Sequence, residues 1–305
     1  MKAIRVHNHG DAEEMEMEDV QQPKPARGQV LVKVHDAAVN PVDWKIREGY
    51  MKGSLPGSFP YTMGQDFSGE VVETGKDVTG LQRGDRVFGF AQGTYAEYAL
   101  ASPDELARVP RSVDWVGAAA IPTAGLTAWQ IVMDVAKLSN NQAVLIHGAG
   151  GGVGSFAVQF AKKVGARVIA TASRDVFSYL QSLGADQLID YKSERFENRV
   201  KDVDTVIDLV GGDALARSYG IVRKNGLVVT TVGPADEAAA RKHGIRVTQF
   251  LMRRRGDELE QISRFMEVGS VNPHISKILP LSEAKAAENI CQFGHPHGKV
   301  ILHVG

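Results

Sequence analysis

A glycine-rich segment, His-Gly-Ala-Gly-Gly-Gly-Val-Gly over residues 147–154, has the residue types and spacing to hold a phosphate group. It lies directly after an apolar run that predicts a strand and directly before a run that predicts a helix. The pyrophosphate of a dinucleotide must approach backbone N–H groups at such a turn, and side chains would obstruct it. Ala149, Gly151 and Gly154 take the three positions where glycines usually permit this approach, with alanine at the first. The sequence therefore predicts a dinucleotide site, the alternative being a flexible loop without a ligand. The backbone expected to contact the pyrophosphate is that of Gly151, Gly152, Val153 and Gly154.

The segment about 20 residues after this loop indicates which dinucleotide binds, since NAD-binding domains place Asp or Glu there, against the ribose 2′-hydroxyl. Here residues 171–175 read Thr-Ala-Ser-Arg-Asp. Ser173 and Arg174 supply donors and a positive charge, which suit the 2′-phosphate of NADPH. In the competing interpretation, Ser173 or Asp175 caps the next helix and Arg174 is solvated. Tyr191, just after the third predicted strand of this region, is the candidate contact for the adenosine end.

The elements that must position these residues alternate between strand and helix in the second half of the chain. Such alternation predicts a doubly wound parallel sheet, whose strands are apolar because helices cover both faces. Residues 116–136 predict a helical stretch interrupted at Pro122 and Gly125. The predicted strands are residues 143–147, 167–172, 187–189, 203–210 and 227–232, and the predicted helices are 155–164 and 176–183.

The first third of the chain instead shows short alternating runs between turn residues, which predict an irregular β domain. A helix over residues 282–290 and a last strand over 299–304 close the chain, and we expect this strand to rejoin the β domain. The predicted fold class is therefore α/β, with a β domain at 1–118, completed by 276–305, and a doubly wound domain at 119–275.

Composition narrows the class of protein further. The 305 residues suffice for two domains, and a formal net charge of −1 argues against a dedicated nucleic-acid-binding protein. Cys291 is the single cysteine, which excludes a zinc site built of several thiolates. The sequence shows neither a signal peptide nor an apolar run of the ~20 residues that a membrane span requires, so we expect a cytoplasmic protein.

Three further segments carry a family pattern: residues 40–47, Asn-Pro-Val-Asp-Trp-Lys-Ile-Arg; residues 121–128, Ile-Pro-Thr-Ala-Gly-Leu-Thr-Ala; and residues 298–302, Gly-Lys-Val-Ile-Leu. Together with the glycine loop they resemble the quinone oxidoreductase branch of the medium-chain dehydrogenase/reductase superfamily. The resemblance runs from end to end. It implies a GroES-like β domain, a Rossmann doubly wound domain, a cofactor in the cleft between them, and a homodimer. It also implies that the nicotinamide or phosphates lie near Thr127, Val232, Gly233, Phe250 and Leu251.

The sequence departs from the zinc-dependent alcohol dehydrogenases of this superfamily at the metal ligands. Where those enzymes carry Cys and a His-Glu pair, this chain has Asn40 and the pair Gln65-Asp66. Amide groups are poor zinc ligands, and one carboxylate does not hold a catalytic ion that needs about three protein ligands. The lobe with four cysteines that binds structural zinc is also missing. We therefore expect a zinc-free member with no metal ligands.

Without a metal to polarise a carbonyl, hydride transfer needs an acceptor that is already electron-poor. Quinones and α,β-unsaturated ketones or aldehydes meet this condition, so we expect an NADPH-dependent reductase of such compounds. Candidate donors to the developing oxyanion are Asn40, Lys45 and Tyr50. Each has an alternative role: Asn40 sets a turn, Lys45 and Arg47 lie on a solvated helix face, and Tyr50 packs. Loops such as residues 51–60 are expected to shape the substrate cleft.

Two other functions agree with the same motifs. One is a non-catalytic NADPH-binding protein that interacts with nucleic acid, which the near-neutral charge disfavours, and the other is an enoyl-thioester reductase. We interpret the basic clusters at residues 241–243 and 253–255 as solvated, with a phosphate contact or an anionic partner as the alternative. The expected partner is thus a small quinone or enone rather than a membrane or a nucleic acid.

Overall fold

The computed structural model describes residues 1–51 and 58–305, so residues 52–57 of the predicted cleft loop lie outside the described part. Backbone contacts divide the chain into two compact units. Unit 1 comprises Met1–Leu126 and Arg254–Gly305, and unit 2 comprises Thr127–Arg253. Within the described residues, no helix is long and apolar enough to cross a membrane.

The elements follow in chain order. The first are β1 (Lys2–Val6), β2 (Met15–Asp19), β3 (Val30–Val39), α1 (Pro41–Arg47), β4 (Tyr61–Thr62), β5 (Asp66–Thr74), β6 (Arg86–Phe90), β7 (Tyr98–Ala101), β8 (Leu106–Arg108), α2 (Trp115–Ala119) and α3 (Pro122–Gln130). A π-helical turn (Ile131–Val135) then leads to β9 (Ala143–His147), α4 (Gly152–Lys163), β10 (Arg167–Ala172), α5 (Phe177–Ser182), β11 (Gln187–Asp190), β12 (Val203–Asp208), α6 (Gly212–Ser218), β13 (Val222–Thr230), α7 (Glu237–Lys242) and β14 (Arg246–Gln249). The last are α8 (Gly256–Glu267), β15 (Ile275–Pro280), α9 (Ala284–Phe293) and β16 (Lys299–His303).

Unit 1 is built around a sheet with the strand order β15-β16-β3-β5-β6-β8, to which β7 adds by pairing with β3. Strand β3 lies at its centre, and Val30, Val32 and Val34 on this strand are fully buried. As predicted, the last strand returns to this unit, where β16 pairs antiparallel with β3. A smaller sheet, β2-β1-β4, completes the unit.

Unit 2 contains a six-stranded parallel sheet with the order β11-β10-β9-β12-β13-β14. This is the order of a dinucleotide-binding doubly wound fold, in which the strand order reverses between β9 and β12 while all strands stay parallel. Leu145, Ile169, Val206 and Val228 from four of its strands share one apolar core. The bounds of β9 and β10 match those predicted from the sequence.

One sequence-based prediction about the helices was wrong in part, and one helix was not predicted. Gly125 does not interrupt the helical stretch but lies inside α3, which begins at Pro122. The predicted interruption at Pro122 is confirmed, since α2 ends at Ala119 and α3 begins at Pro122. Proline at the first helical position lacks only an N–H that would be unpaired there. Helix α8, which the sequence did not predict, packs on β8, and a Cβ added at Gly256 would lie 2.5 Å from the carbonyl oxygen of Leu106.

The packing of α8 on β8 explains where the compact units divide. Residues 254–275 pack within unit 1, as do residues 119–126. The predicted division at 118/119 and 275/276 assigned both segments to the doubly wound domain. The assignment of a separate function to each domain stays a prediction.

Candidate functional site

The glycine loop has the geometry of a phosphate cradle. Gly148 follows β9 with a φ of 70°, which favours glycine, and Gly151 is the N-cap of the 12-residue helix α4. A Cβ at Gly154 would lie 2.3 Å from the carbonyl oxygen of Gly148, so the crossing of the loop and the helix admits only glycine there. A Cβ at Gly151 would meet only that oxygen, at an ordinary 3.5 Å, so the protein itself leaves this backbone accessible. Gly152 and Val153 form the first turn of α4, whose N–H groups and dipole suit a diphosphate.

The carboxyl ends of β10 and β11 bring two further predicted residues to the same edge of the sheet. The side chain of Arg174 is 76% exposed, with its Nε 3.8 Å from Oδ2 of Asp190. Tyr191 is 61% exposed, and Nζ of Lys192 lies 5.9 Å from the centre of its ring. Ser173 is buried just before Arg174. A cation and an aromatic ring thus face solvent beside the glycine loop, as a 2′-phosphate and an adenine require.

Asp208, which the sequence analysis missed, holds the neighbouring loops in place. Its buried carboxylate accepts hydrogen bonds from the Gly211 N–H at 3.0 and 3.1 Å and from the Thr230 hydroxyl at 2.8 Å. Thr230 in turn accepts the Val232 N–H at 3.3 Å, next to Gly233. An acidic residue within a predicted apolar strand, residues 203–210, was the signal that could have identified Asp208.

Two more predicted residues follow the last strand of the sheet, and a third, Thr127, is the first residue of unit 2 and lies within α3. Phe250 donates its N–H to the Thr230 carbonyl at 2.8 Å. Leu251 is exposed, and Thr127 is buried in α3. Unit 2 therefore gathers Val232, Gly233 and Phe250 beside the glycine loop, because the carboxyl ends of parallel strands meet at one edge.

His147 is a second residue that the sequence analysis did not single out as functional. Ser218 donates its hydroxyl proton to the Ala214 carbonyl at 2.7 Å, so it accepts from Nε2 of His147 at 2.9 Å. Nδ1 of His147 then accepts from the Thr171 hydroxyl at 2.9 Å. Burial lowers the pKa of His147 to about 4, so the imidazole is neutral at physiological pH. It fixes the end of β9, from which the glycine loop departs.

In unit 1, Asn40 is committed to internal partners. The residue is 2% exposed, and its side-chain amide donates to the Ala38 carbonyl at 3.3 Å. Its Oδ1 accepts from the buried ammonium of Lys299, which also donates to the Val39 carbonyl at 2.9 Å. The geometry gives Asn40 the structural role that the sequence analysis considered as its alternative. Its role as a donor to an oxyanion stays a prediction.

At the positions where the alcohol dehydrogenases have zinc ligands, the side chains of this protein form hydrogen bonds with other groups of the protein. Asp66 is buried and accepts from the Thr123 backbone N–H at 2.9 Å and the Thr123 hydroxyl at 2.6 Å. Burial raises the pKa of Asp66, while Lys299 and Thr123 oppose this rise. Oε1 of Gln65 accepts from the guanidinium of Arg254. Since the oxygens of Asn40, Gln65 and Asp66 already hold donors, beside a buried ammonium, this set does not fit a zinc ion.

The other two candidate donors belong to α1 or follow it. Nζ of Lys45 lies 5.5 Å from the centre of the Trp44 ring. Tyr50 is 73% exposed, with its ring edge-on to Trp44. The expectation that Arg47 is solvated was wrong: its side chain is fully buried and donates to the Gly10 carbonyl at 3.0 Å. Arg47 faces inward because it lies one helical turn after the buried Asp43.

A small cavity of about 60 Å³ lies in unit 1, and Gln65 is one of the residues that line it. Arg254 reaches it with a half-buried guanidinium that contacts Gln65 and lies 3.3 Å from the Glu105 carboxylate. The interpretation of residues 253–255 as solvated was thus wrong for Arg254. No local pattern marks this residue, since its partner Gln65 is 189 positions away. Residues lining the cavity include Asp43, Tyr61, Gln65, Gln92 and Arg254.

Comparison with known proteins places this geometry in a family. Residues 26–111 match the family described as alcohol dehydrogenase GroES-like domain, and residues 183–302 match the one described as zinc-binding dehydrogenase. The chain is 33% identical to the 2-methylene-furan-3-one reductase of Solanum lycopersicum over 99% of this chain and 79% of the relative.

Solved structures that resemble this chain belong to the same family. The quinone oxidoreductase of Coxiella burnetii superposes with a TM-score of 0.92 at 36% identity, covering 100% of this chain and 99% of that one. The Escherichia coli quinone oxidoreductase, solved in complex with NADPH, gives a TM-score of 0.91 at 26% identity, with 100% of both chains covered. With a GroES-like domain, a Rossmann sheet and a glycine loop in place, the chain belongs to the quinone oxidoreductase branch of the medium-chain dehydrogenase/reductase superfamily and is an NAD(P)H oxidoreductase.

Proposed function

We propose that this oxidoreductase is a zinc-independent, NADPH-dependent reductase of quinones or α,β-unsaturated carbonyl compounds. The observation that carries the proposal is that the side-chain oxygens of Asn40, Gln65 and Asp66 already accept hydrogen bonds within the protein, one of them from the Lys299 ammonium. With no place for a Lewis acid at these residues, the acceptor must itself be electron-poor. The Solanum and Coxiella relatives, named for a furanone and for quinones, support this substrate class.

The proposed cofactor is held by residues of unit 2. The glycine loop and the first turn of α4 bind the diphosphate, Ser173 and Arg174 bind the 2′-phosphate, and Tyr191 stacks on the adenine. When bound, the nicotinamide supplies a hydride. Val232 and Gly233 present backbone groups to the nicotinamide side, held there through Asp208 and Thr230. Thr127, Phe250 and Leu251 complete the predicted contacts.

The negative charge that develops on the reduced acceptor needs nearby donors. In unit 1 the groups that can supply them are the ammonium of Lys45, the hydroxyl of Tyr50 and the guanidinium of Arg254. Arg254 is already oriented by Gln65 and Glu105, so it can donate with little loss of side-chain freedom. Asn40 positions α1, because its backbone N–H donates to Oδ2 of Asp43 at 2.8 Å.

The test is a kinetic comparison of acceptors. Purified protein, dialysed against a chelator, is mixed with NADPH or NADH and with a benzoquinone, a naphthoquinone, an enone or a simple ketone. We expect oxidation of NADPH by a quinone or an enone, a preference for NADPH over NADH, and no reaction with the ketone. Loss of activity on chelation, restored by zinc, would contradict the proposal. So would a lack of turnover with every acceptor. The cytoplasmic location and the homodimer stay predictions.

A further inference from the structure

A row of three buried acidic groups crosses unit 1. Glu288 on α9 and Asp43 on α1 lie on either side of Tyr95, which precedes β7, and all three residues are buried. Oη of Tyr95 lies 2.9 Å from Oε1 of Glu288 and 3.2 Å from Oδ2 of Asp43. Two hydrogen bonds in a row of three oxygens require two protons, and the tyrosine supplies only one.

The geometry assigns the second proton to Glu288. Oδ2 of Asp43 already accepts the Asn40 N–H at 2.8 Å, so it acts as an acceptor on both sides. Tyr95 therefore donates to Asp43 and accepts from Glu288. Oε2 of Glu288 has no hydrogen-bond partner among the described residues, which a neutral acid tolerates better than a carboxylate. The Arg47 guanidinium is 3.9 Å from this oxygen, beyond hydrogen-bonding distance.

The burial of Glu288 and Asp43 and the charges near them favour a proton bound to this row of side chains. Burial, followed by the charge of Asp43, raises the pKa of Glu288 to about 8. Burial, followed by the charge of Asp66, raises the pKa of Asp43 to about 7. The ionisable groups that face the two carboxyls from the surrounding elements are Arg47, Glu48, Tyr61, Asp66, Tyr95, Cys291 and Lys299.

Asp43 also lines the small cavity that Arg254 reaches. The cavity volume of about 60 Å³ has room for a few water molecules, and its walls are polar enough to bind them. The buried hydroxyl of Tyr61, another lining residue, has no partner among the described residues, so water there would satisfy it. Water in this cavity would connect Asp43 to the side of the cavity where Arg254 lies.

We propose that Glu288, Tyr95 and Asp43 form a proton relay that supplies the proton accompanying hydride transfer, a role that rests on the proposed reductase function. The acceptor gains a hydride, with both electrons, and becomes an anion. Asp43 takes the Tyr95 proton while the Glu288 proton passes to Tyr95, so the row delivers one proton to Asp43 and leaves Glu288 as a carboxylate. The proton on Asp43 then leaves through the cavity water and forms the new O–H or C–H bond of the product, and after turnover a proton returns from the cavity water along the same row to Glu288. No electrons move along the relay.

Glu288→Gln, Tyr95→Phe and the matched control Glu48→Gln test the relay. Gln at 288 has the shape of a neutral acid and can still donate to Tyr95, so we expect this variant to fold. Glu48 lies beside Arg47 but outside the row, and it retains a partner in Gln292. Infrared spectra at neutral pH should show the C=O band of a protonated carboxylic acid in the wild type and in Glu48→Gln. In Glu288→Gln this band should lose the intensity of one carboxylic acid.

The second measurement follows one turnover with NADPH and a benzoquinone, recording nicotinamide absorbance and, with an indicator dye, proton uptake. We expect hydride transfer at a similar rate in all four proteins, with proton uptake about 100-fold slower in Glu288→Gln and Tyr95→Phe. An infrared band of undiminished intensity in Glu288→Gln, or unchanged proton uptake in both relay variants, would overturn the relay while leaving the reductase function intact. If the wild type did not oxidise NADPH at all, the reductase function itself would fail, and the relay role with it.

Discussion

The two units treat their polar groups in opposite ways. In unit 1, the side chains of Lys299, Asp66 and Arg47 are buried. Each forms hydrogen bonds with groups inside the protein: Lys299 with the Val39 carbonyl, Asp66 with the Thr123 hydroxyl, and Arg47 with the Gly10 carbonyl. At the carboxyl edge of the sheet in unit 2, glycine backbone and the exposed side chains of Arg174 and Tyr191 face solvent. The contrast teaches that the first arrangement is complete without a ligand, whereas the second is shaped for one. Mutations should therefore affect stability in the first region and binding in the second.

The largest effect is expected from Lys299→Met. The substitution leaves the oxygens of Asn40 and Val39 without a donor, and it leaves Asp66 and Asp43 without the nearby positive charge. We expect a loss of about 3–5 kcal/mol in the free energy of unfolding, measured by denaturant titration. The matched control is Lys2→Met, since Lys2 forms an exposed pair with Asp19, and it should cost less than about 1 kcal/mol. Equal losses in the two variants would show that the buried cluster is not special.

The next largest effect is on the pH dependence of stability, and it comes from His147, a buried titratable residue of unit 2. The pKa of about 4 in the folded protein lies below the usual 6.5 of a histidine, so its contribution to stability is present above pH 6.5 and is lost as the pH falls toward 4. The difference corresponds to roughly 3 kcal/mol. His147→Gln should therefore flatten the acid side of the stability profile, measured by thermal unfolding between these pH values. The exposed His243, changed to Gln, should leave the profile as it is. A profile unchanged in His147→Gln would contradict the buried neutral imidazole.

Two glycine substitutions separate folding from binding within one loop. In Gly154→Ala the added carbon meets the Gly148 carbonyl at 2.3 Å, so we expect a loss of about 1–3 kcal/mol in stability together with loss of NADPH binding. In Gly151→Ala the nearest atom is at 3.5 Å, so stability should change little while NADPH binds about tenfold more weakly. Thermal unfolding and fluorescence titration with NADPH measure the two effects. If Gly151→Ala bound NADPH as the wild type does, the diphosphate would lie elsewhere.

The smallest effect should come from Arg174→Ala. The side chain is exposed and its contact with Asp190 is long, so its removal should not change the unfolding temperature. It should weaken NADPH binding about tenfold and leave NADH binding unchanged, because only NADPH carries the 2′-phosphate. The exposed Lys224, changed to Ala, controls for the loss of one positive charge from unit 2. If the binding of NADPH and of NADH weakened equally, Arg174 would act through its general positive charge and not through the 2′-phosphate.

Local patterns predicted much of unit 2 and less of unit 1. The strands at residues 143–147 and 167–172, the glycine loop and the return of the last strand to unit 1 were predicted correctly. Helix α8 was missed, and with it the place where the chain returns to unit 1. The local signals were present, since Leu259, Ile262 and Met266 recur at helical spacing and two acidic residues lie in the first turn. Only the tertiary structure shows that this face packs on β8.

The sequence by itself determined that a strand passes to a helix through backbone free of side chains, because spacing along a few residues is enough to encode a phosphate-binding turn. Only the tertiary structure decided the partners of the buried charges. Lys299 meets Asn40 across 259 positions, Glu288 meets Tyr95 across 193, and Arg254 meets Gln65 across 189. The free energy of a buried polar group depends on the donors and acceptors that enclose it, and distant segments supply these only when the chain has folded.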